Sequence, residues 1–141
     1  MSAIRPIAIA VICRGDRILV FEGRDDVKGE TFYRPLGGGI DFREQGADAV
    51  RRELREEIGA ELREVRYLGL VENIFTLDGR PRHELVLVFQ AELVDDPRFD
   101  GERVEGAMEN GVPLVVAWKP LSLFAEGEER LYPTGLIDML G

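Results

Sequence analysis

The chain has 141 residues, the size of one domain that can bury a substantial core. Hydrophobic residues make up 45% and charged residues 32%, a balance typical of soluble globular proteins. The net charge of −9 at pH 7 disfavours non-specific nucleic-acid binding, which needs clustered positive charge, so we expect no nucleic-acid partner. The same charge would repel a nucleotide. A phosphate ligand would therefore need metal ions or a local basic patch.

The single cysteine, Cys13, excludes an internal disulfide and is typical of a reducing compartment. Cys13 lies in an apolar run, so we expect it in the core and not as a nucleophile. The N-terminus has no charged segment followed by a long apolar one, and no apolar run approaches the roughly 18 residues of a membrane span. We expect a cytoplasmic protein without a membrane partner.

The first third of the sequence predicts strands joined by short loops. The segment from Ile4 to Cys13, rich in Ile, Val and Ala, predicts a buried strand, and Arg17 to Glu22 predicts its hairpin partner. The polar segment from Gly23 to Glu30 predicts a loop, and Thr31 to Leu36 predicts a short strand. Gly37 to Gly39 follow, where glycine allows the backbone to approach a ligand closely and to take positive φ.

This part of the chain also carries the candidates for ligand binding. Arg24 and Lys28, in the predicted loop, could reach a phosphate, although two solvated loop cations explain them as well. Tyr33, with Phe32, could stack on a nucleobase, although two aromatic residues on a strand are more often part of a core. Arg34 is the remaining substrate-binding candidate.

A helix from about Ala47 to Ile58, stopped by Gly59, is the central element of the sequence. Glu53, Glu56 and Glu57 are spaced i, i+3 and i+4, so their side chains fall within one arc of the helix surface. A separate arc is apolar and should face a core; its members are Ala47, Val50, Leu54 and Ile58. Like charges set this close repel one another. A hard divalent cation such as Mg²⁺ would offset that repulsion and leave coordination sites for a phosphate.

The alternative is an ordinary solvated amphipathic helix, because arginines stand among these glutamates and could neutralise them in pairs. These arginines are Arg51, Arg52 and Arg55.

The second half of the sequence predicts a long β-hairpin. Glu61 to Leu77 and Arg82 to Val94 predict its two strands, and the intervening Asp78-Gly79-Arg80-Pro81 is typical of a turn. The hairpin carries the only histidine, His83, which we expect to be a half-exposed strand residue rather than a substrate contact.

The remaining segments are less regular. Asp95 to Gly111 is acidic and polar, and it predicts a loop with at most a short turn of helix. Val112 to Lys119 predicts a final strand. Tyr132 to Leu140 predicts a C-terminal helix with Pro133 near its first turn.

The stretch from Gly38 to Ala60 resembles the Nudix box, a pattern of nine specified residues in 23 positions. The matching residues are Gly38, Glu44, Arg52, Glu53, Leu54, Glu56, Glu57, Gly59 and Ala60. One departure lies just upstream, where the family commonly has proline before its double glycine and this chain has Leu36 with Pro35 one place earlier.

The resemblance implies a single Nudix hydrolase domain over residues 1–141 with an α+β fold, in which a mixed β-sheet lies between helices as an α/β/α sandwich. It implies hydrolysis of a pyrophosphate bond in a nucleoside diphosphate linked to another group, X, with Mg²⁺, or Mn²⁺ in its place, as the cofactor. The partner would be a small-molecule nucleotide. Nucleoside triphosphates, nucleotide sugars, ADP-ribose and dinucleoside polyphosphates all contain the required diphosphate, and the sequence does not choose among them. A homodimer is compatible with the family.

By the same resemblance, the metal ligands would be Gly38, through its carbonyl, with Glu53, Glu56 and Glu57. Arg52 would orient a carboxylate, Glu44 would hold the glycine loop by pairing with an arginine, and Glu53 is one candidate for the general base. In Nudix proteins a glutamate from a later loop often adds a ligand or acts as the base. The candidates here are Glu102, Glu105 and Glu109.

Two other functions remain open from the sequence. One is a non-catalytic Nudix-fold module that binds a nucleotide or regulates a partner, although such a module is expected to lose box glutamates and none is lost here. The other is a purely structural acidic domain, which corresponds to the solvated-helix alternative.

Overall fold

The computed structural model describes residues 2–140 and has an α+β architecture. The strands are Ile4–Val11 (β1), Cys13–Arg14 (β2), Arg17–Asp25 (β3), Glu30–Pro35 (β4), Gly37–Gly39 (β5), Leu62–Leu77 (β6), Arg80–Leu93 (β7), Arg103–Val104 (β8), Met108–Glu109 (β9), Val112–Pro113 (β10) and Val116–Pro120 (β11). The helices are Gly46–Ile58 (α1), Leu121–Ala125 (α2) and Leu136–Leu140 (α3), with a short 3₁₀ turn at Pro97–Phe99. Within residues 2–140, no helix has the length and apolar character needed to cross a membrane.

The strands form two main sheets. A mixed four-stranded sheet has the order β5-β1-β7-β6, in which β1 runs parallel to β7 and the other neighbours are antiparallel. The second sheet has the order β2-β3-β11-β8, with β4 also paired to β3. Ile12 joins β1 to β2 and so links the two sheets. The predicted mixed sheet is therefore confirmed, and a second, antiparallel sheet accompanies it.

From Ile7 onwards β1 is buried on both faces, because its side chains alternate between two hydrophobic clusters. Ala8 and Ala10 face the cluster that contains the apolar arc of α1. Ile7 and Ile9 face the opposite cluster, which includes Phe124 of α2 and Leu136 of α3. The four-stranded sheet thus lies between the long helix and the C-terminal helices, as the resemblance implied.

Helix α1 matches its prediction closely. It begins at Gly46, one residue before the predicted start, and Gln45 precedes it without a side-chain capping bond. It ends at Ile58, and Gly59 takes the left-handed conformation with φ of 65° while its N–H donates to the carbonyl of Arg55. Glycine is favoured there because a side chain at positive φ is strained.

Several local predictions are wrong. Asp95 to Gly111 is not only a loop with a turn of helix, because it contains β8 and β9, and Val112 to Lys119 is divided between β10 and β11. Gly37–Gly39 is not a loop, because it pairs antiparallel with β1 as strand β5. Cys13 is exposed rather than in the core: Ile12 takes the inward position and Cys13, starting β2, turns outward. The C-terminal helix begins at Leu136 rather than Tyr132, since Gly135 has φ of 93°, which an α-helix excludes.

Candidate active site

A cavity of about 370 Å³ lies between the glycine strand β5, helix α1 and one end of both sheets. Its polar lining residues are Arg5, Arg34, Glu53, Glu56, Glu57, Arg82, Glu84, Glu109 and Asn110. The carboxylates come mainly from α1 and β9, whereas the guanidinium groups come from β1, β4 and β7. The cavity therefore has an acidic side and a side that carries arginines.

The cavity is formed where one face of the four-stranded sheet changes from apolar to polar. Ile7 on β1 and Val86 on β7 are paired in register and belong to the core. Two residues earlier on each strand, Arg5 and Glu84 are paired on the same face. Because alternate residues of a strand share a face, Arg82 continues this polar end of the sheet. The core closes the inner end of the cavity and these charged groups line its outer part.

Glu57 is the most buried acidic group in the cavity, with only 2% of its surface exposed. Its Oε1 accepts a hydrogen bond of 3.2 Å from the backbone N–H of Gly37. Its Oε2 is buried and has no hydrogen-bond donor among the described residues. A buried carboxylate oxygen without a donor is costly unless a cation or a proton satisfies it.

Glu53 lies against the glycine strand. A Cβ atom built on Gly38 would come within 2.6 Å of Glu53 Cδ and 2.7 Å of both its carboxylate oxygens, which is closer than atoms can pack. Glycine at position 38 therefore makes room for this carboxylate beside the backbone of β5.

Burial and mutual repulsion alter the titration of both carboxyls. Burial, followed by the charges of Glu53 and Glu109, raises the pKa of Glu57 to about 9. Burial also raises the pKa of Glu53, although the neighbouring Arg52 opposes the change. Negative charge is unfavourable at this point of the cavity, and a bound cation would stabilise it.

Arg52 connects three parts of the acidic side of the cavity. Its guanidinium bonds to the loop before α1, to the glycine strand and to the helix itself. Its Nε and Nη2 each donate to Glu44 at 2.9 Å, and Nη2 also donates to the carbonyl of Gly39 at 2.9 Å. Its Nη1 donates to Glu53 at 3.0 Å and reaches Glu56 at 3.4 Å. The predicted pairing of Glu44 with an arginine is the one observed.

Glu44 should make stability depend on pH in the acid range. Hydrogen bonds from Arg52 hold the pKa of Glu44 at about 2, below its ordinary value of about 4.5. A lowered pKa means that the ionised group stabilises the fold at higher pH, and that this contribution is lost as pH falls from about 4.5 to about 2. We expect Glu44→Gln to be less stable than wild type at pH 6, with the difference shrinking steadily towards pH 2. Urea unfolding at several pH values measures this, and a difference that does not change with pH contradicts the assignment.

The four predicted metal ligands are only partly brought together. Gly38, Glu53 and Glu57 lie side by side, and Glu56 lines the outer part of the cavity with a side chain 58% exposed and directed to Arg52. Within residues 2–140, no three acidic, histidine or cysteine side chains converge on one point. The guanidinium of Arg52 donates instead to the carboxylates of both Glu53 and Glu56.

Of the three later glutamates, only Glu109 reaches the cavity, where it interacts with Glu57. Glu102 is exposed beside Arg17 at 3.8 Å, and Glu105 does not line the cavity. Glu109 is placed by a hairpin of β9 and β10, whose turn contains Asn110 with φ of 50° and Gly111 with φ of 79°. Asn-Gly is a strong hairpin signal, so the sequence contained a clue that ranks Glu109 first.

The four substrate-binding candidates occupy different places. Arg34 lines the cavity and donates to Glu84 at 3.0 Å. Tyr33 is in the core beside Phe124, so the core interpretation holds for it. Arg24 bonds to neighbours of its own hairpin away from the cavity, and Lys28 lines a smaller adjoining cavity of about 90 Å³.

Sequence reasoning missed several residues that line the cavity, among them Arg5, Phe75 and Arg82. Arg5 and Arg82 come together because β1 and β7 are parallel neighbours, and no local pattern predicts that pairing between distant segments. Phe75 pairs with Arg82 across the predicted hairpin of β6 and β7. His83 is half-buried on its strand, as expected, and does not line this cavity.

Comparison with known proteins decides the family. The model of the NUDIX domain matches residues 3–133, which is most of the chain. The chain belongs to the Nudix family. Among curated relatives, the NAD-capped RNA hydrolase NudC of Pseudomonas aeruginosa is 34% identical over 89 residues, which cover 63% of this chain and 29% of the relative. The corresponding protein of Pseudomonas fluorescens is 38% identical over 66 residues, covering 47% of this chain and 23% of the relative. The matches thus span less than a third of these Nudix relatives.

Solved structures agree with the Nudix fold. A MutT NUDIX hydrolase from Burkholderia pseudomallei superposes with a TM-score of 0.68 at 24% identity and covers 99% of this chain and 98% of its own. A structure described as an ADP compounds hydrolase gives a TM-score of 0.60 at 17% identity over 86% of this chain and 62% of its own. At these identities the likeness establishes the α+β Nudix fold.

Proposed function

We propose that this Nudix protein hydrolyses a pyrophosphate bond in a nucleoside diphosphate linked to another group, X, with Mg²⁺ as cofactor. The observation that carries the proposal is the buried Glu57, whose Oε2 has no donor among residues 2–140 while the carboxylates of Glu53 and Glu109 lie nearby. The names of relatives, NAD-capped RNA hydrolase and ADP compounds hydrolase, support a substrate of this class.

The oxygen atoms on the acidic side of the cavity are of the kind that a divalent cation binds. Mg²⁺ takes oxygen ligands and usually binds through one or two carboxylates together with substrate phosphates. Glu53 and Glu57 would hold it, with the Gly38 carbonyl and the nearby Glu109 and Glu56 as further oxygen donors. A bound cation would also remove the penalty on the ionised Glu57. When bound, Mg²⁺ supplies charge stabilisation at the phosphate oxygens and lowers the pKa of a coordinated water.

The bond changes of the proposed reaction balance as a simple hydrolysis. The oxygen of water forms a bond to one phosphorus of the diphosphate, and the bond from that phosphorus to the bridging oxygen breaks. The bridging oxygen leaves with the electron pair on the other phosphate. A carboxylate accepts the proton of the water; Glu53 and Glu109 are the two candidates for this base. The products are a nucleoside monophosphate and the phosphate of X.

Arg52 and Arg34 support the proposed reaction in two different ways. Arg52 fixes Glu53 against the glycine strand through its bonds to Glu44 and the Gly39 carbonyl. A carboxylate held in one orientation needs less rearrangement to reach the reacting geometry, which is how a preorganised site lowers a barrier. Arg34 also lines the cavity. The guanidinium donors that it does not give to Glu84 can bind a substrate phosphate there.

Incubation with a nucleotide panel, with Mg²⁺, with Mn²⁺ and with EDTA, tests the proposal. The panel contains a nucleoside triphosphate, a nucleotide sugar, ADP-ribose and a dinucleoside polyphosphate, and the readout is released monophosphate or phosphate. We expect turnover of at least one substrate that requires the added metal. Binding of a nucleotide without turnover would instead indicate a non-catalytic module. Failure to bind either metal or nucleotide would indicate a structural role.

A further inference from the structure

Two arginines of the cavity stand out because no carboxylate among residues 2–140 pairs with them. Arg5 and Arg82 both line the cavity, whereas the third cavity arginine, Arg34, is bound to the buried Glu84 at 3.0 Å. Seven of the sixteen arginines make no ion pair within residues 2–140, and Arg5 and Arg82 are the two of them that line this cavity. Two unpaired guanidinium groups close together can attract an anionic ligand.

The sheet explains why these two arginines are neighbours. Arg5 on β1 is in register with Glu84 on β7, and Arg82 lies two residues before Glu84 on the same strand. Alternate residues share a face, so both guanidinium groups project from the same face of the sheet. The Nη2 atom of Arg5 lies beside the glycine strand, 3.2 Å from the position that a Cβ on Gly39 would take.

Arginines also line the surface next to the cavity. A second depression of about 560 Å³ adjoins it at the end of the strands and shares Arg5, Arg82 and Glu84 with it. Arg80 and His83 line this outer depression as well. Arg80 likewise makes no ion pair within the described residues. Three arginines therefore line this region, Arg5 and Arg82 in both depressions and Arg80 in the outer one.

We infer that Arg5 and Arg82 bind an additional phosphate group of the substrate, beyond the diphosphate that is cleaved. The inference rests on the proposed function, because it places the cleaved diphosphate against Glu53 and Glu57. A divalent cation held by those glutamates would neutralise that diphosphate and leave the two arginines for another anion. Phosphate suits them because each guanidinium can give two parallel N–H donors to phosphate oxygens. The substrate class is then a nucleoside diphosphate compound that carries at least one more phosphate, either on a sugar or within its phosphate chain.

Pairs of substrates that differ only in their phosphate groups test the inference. They also distinguish an extra phosphate on a sugar from one within the phosphate chain. NADP and NAD differ by one phosphate on the adenosine ribose, whereas diadenosine tetraphosphate and diadenosine diphosphate differ by phosphates within the chain. We expect wild type to favour the phosphate-richer member of at least one pair in kcat/KM. Arg5→Gln and Arg82→Gln should each reduce that preference by about tenfold, the usual effect of losing one hydrogen bond to a charged group.

The control is Arg103→Gln, which makes the same change of charge at an exposed residue of β8, outside both cavities. It should leave the preference unchanged. A reduction confined to the NADP pair assigns the extra phosphate to a sugar, and a reduction confined to the diadenosine pair assigns it to the chain. If Arg5→Gln and Arg82→Gln change neither preference in an active enzyme, the inference is wrong and the proposed function stands.

A binding measurement keeps the inference testable if no substrate is turned over. Inorganic tripolyphosphate is titrated into the protein by calorimetry in the presence of EDTA. We expect wild type and Arg103→Gln to bind it equally, and Arg5→Gln and Arg82→Gln to bind it at least about tenfold more weakly. Such binding without any metal-dependent turnover would overturn the proposed function and retain the anion site. Absence of binding to wild type, or equal binding by all four proteins, would overturn the anion site.

Discussion

Glu57→Gln is expected to lower kcat by at least about 100-fold, the size of effect seen when one strong transition-state contact is removed. The amide keeps the shape of the side chain and can still accept the bond from the Gly37 N–H. It cannot provide the negative charge that a divalent cation needs. Because the pKa of Glu57 is raised to about 9, this group is mainly protonated at neutral pH without a cation, so the amide should not harm the fold.

Steady-state kinetics with saturating Mg²⁺, together with thermal unfolding, measure both parts of this expectation. Glu53→Gln should show a loss of activity of the same order, about 100-fold, for the same reason. Glu92→Gln is the matched control, since Glu92 is exposed and pairs only with Arg63 on the surface. Near-wild-type turnover by Glu57→Gln or Glu53→Gln would contradict their assignment as ligands.

Gly37→Ala is expected to destabilise the fold by more than about 3 kcal/mol, because strain and steric overlap add at this position. Gly37 has φ of 153°, and a Cβ there would lie 2.1 Å from the carbonyl oxygen of Ala8 and 2.7 Å from Cα of Ile9. Both contacts are with the backbone of β1, which cannot move aside without disturbing the core. Strand β5 would have to separate from β1, and the Gly37 N–H bond to Glu57 would be lost with it.

Urea unfolding of Gly29→Ala supplies the control for this substitution. Gly29 also has positive φ, at 69°, but a Cβ there would meet no atom within 4 Å. Its replacement by alanine should lower the free energy of unfolding by about 1 to 2 kcal/mol, because only the unfavourable backbone conformation contributes. A Gly37→Ala protein as stable as Gly29→Ala, or more stable, would contradict this prediction. It would mean that close packing against β1 does not hold strand β5 in place.

The parts of the fold that the sequence predicted well are those set by local chemistry. Helix α1 follows from an apolar arc with helical spacing, and its end follows from Gly59. The long hairpin follows from two β-rich segments around Asp78 and Gly79, which both take positive φ in the turn. In each case the decisive residues lie within a few positions of one another.

The parts that it missed depend on partners far away in the chain. Gly37–Gly39 is a strand only because β1 lies beside it, and three successive glycines give no strand signal of their own. Arg5 and Arg82 meet only through the parallel pairing of β1 with β7. The exposure of Cys13 likewise depends on the change of strand after Ile12.

The alternation of small and large residues along β1 has a consequence for how this scaffold can vary. Ala8 and Ala10 allow α1 to approach the sheet, and this spacing sets how far the helix carboxylates stand above the glycine strand. Deleting one residue from β1 would exchange its two faces, forcing isoleucines under the helix and turning Arg5 outwards. We therefore expect new substrate preferences to arise by changes at the strand ends and in the hairpin that carries Glu109. The middle of β1 should keep the same residues on each face.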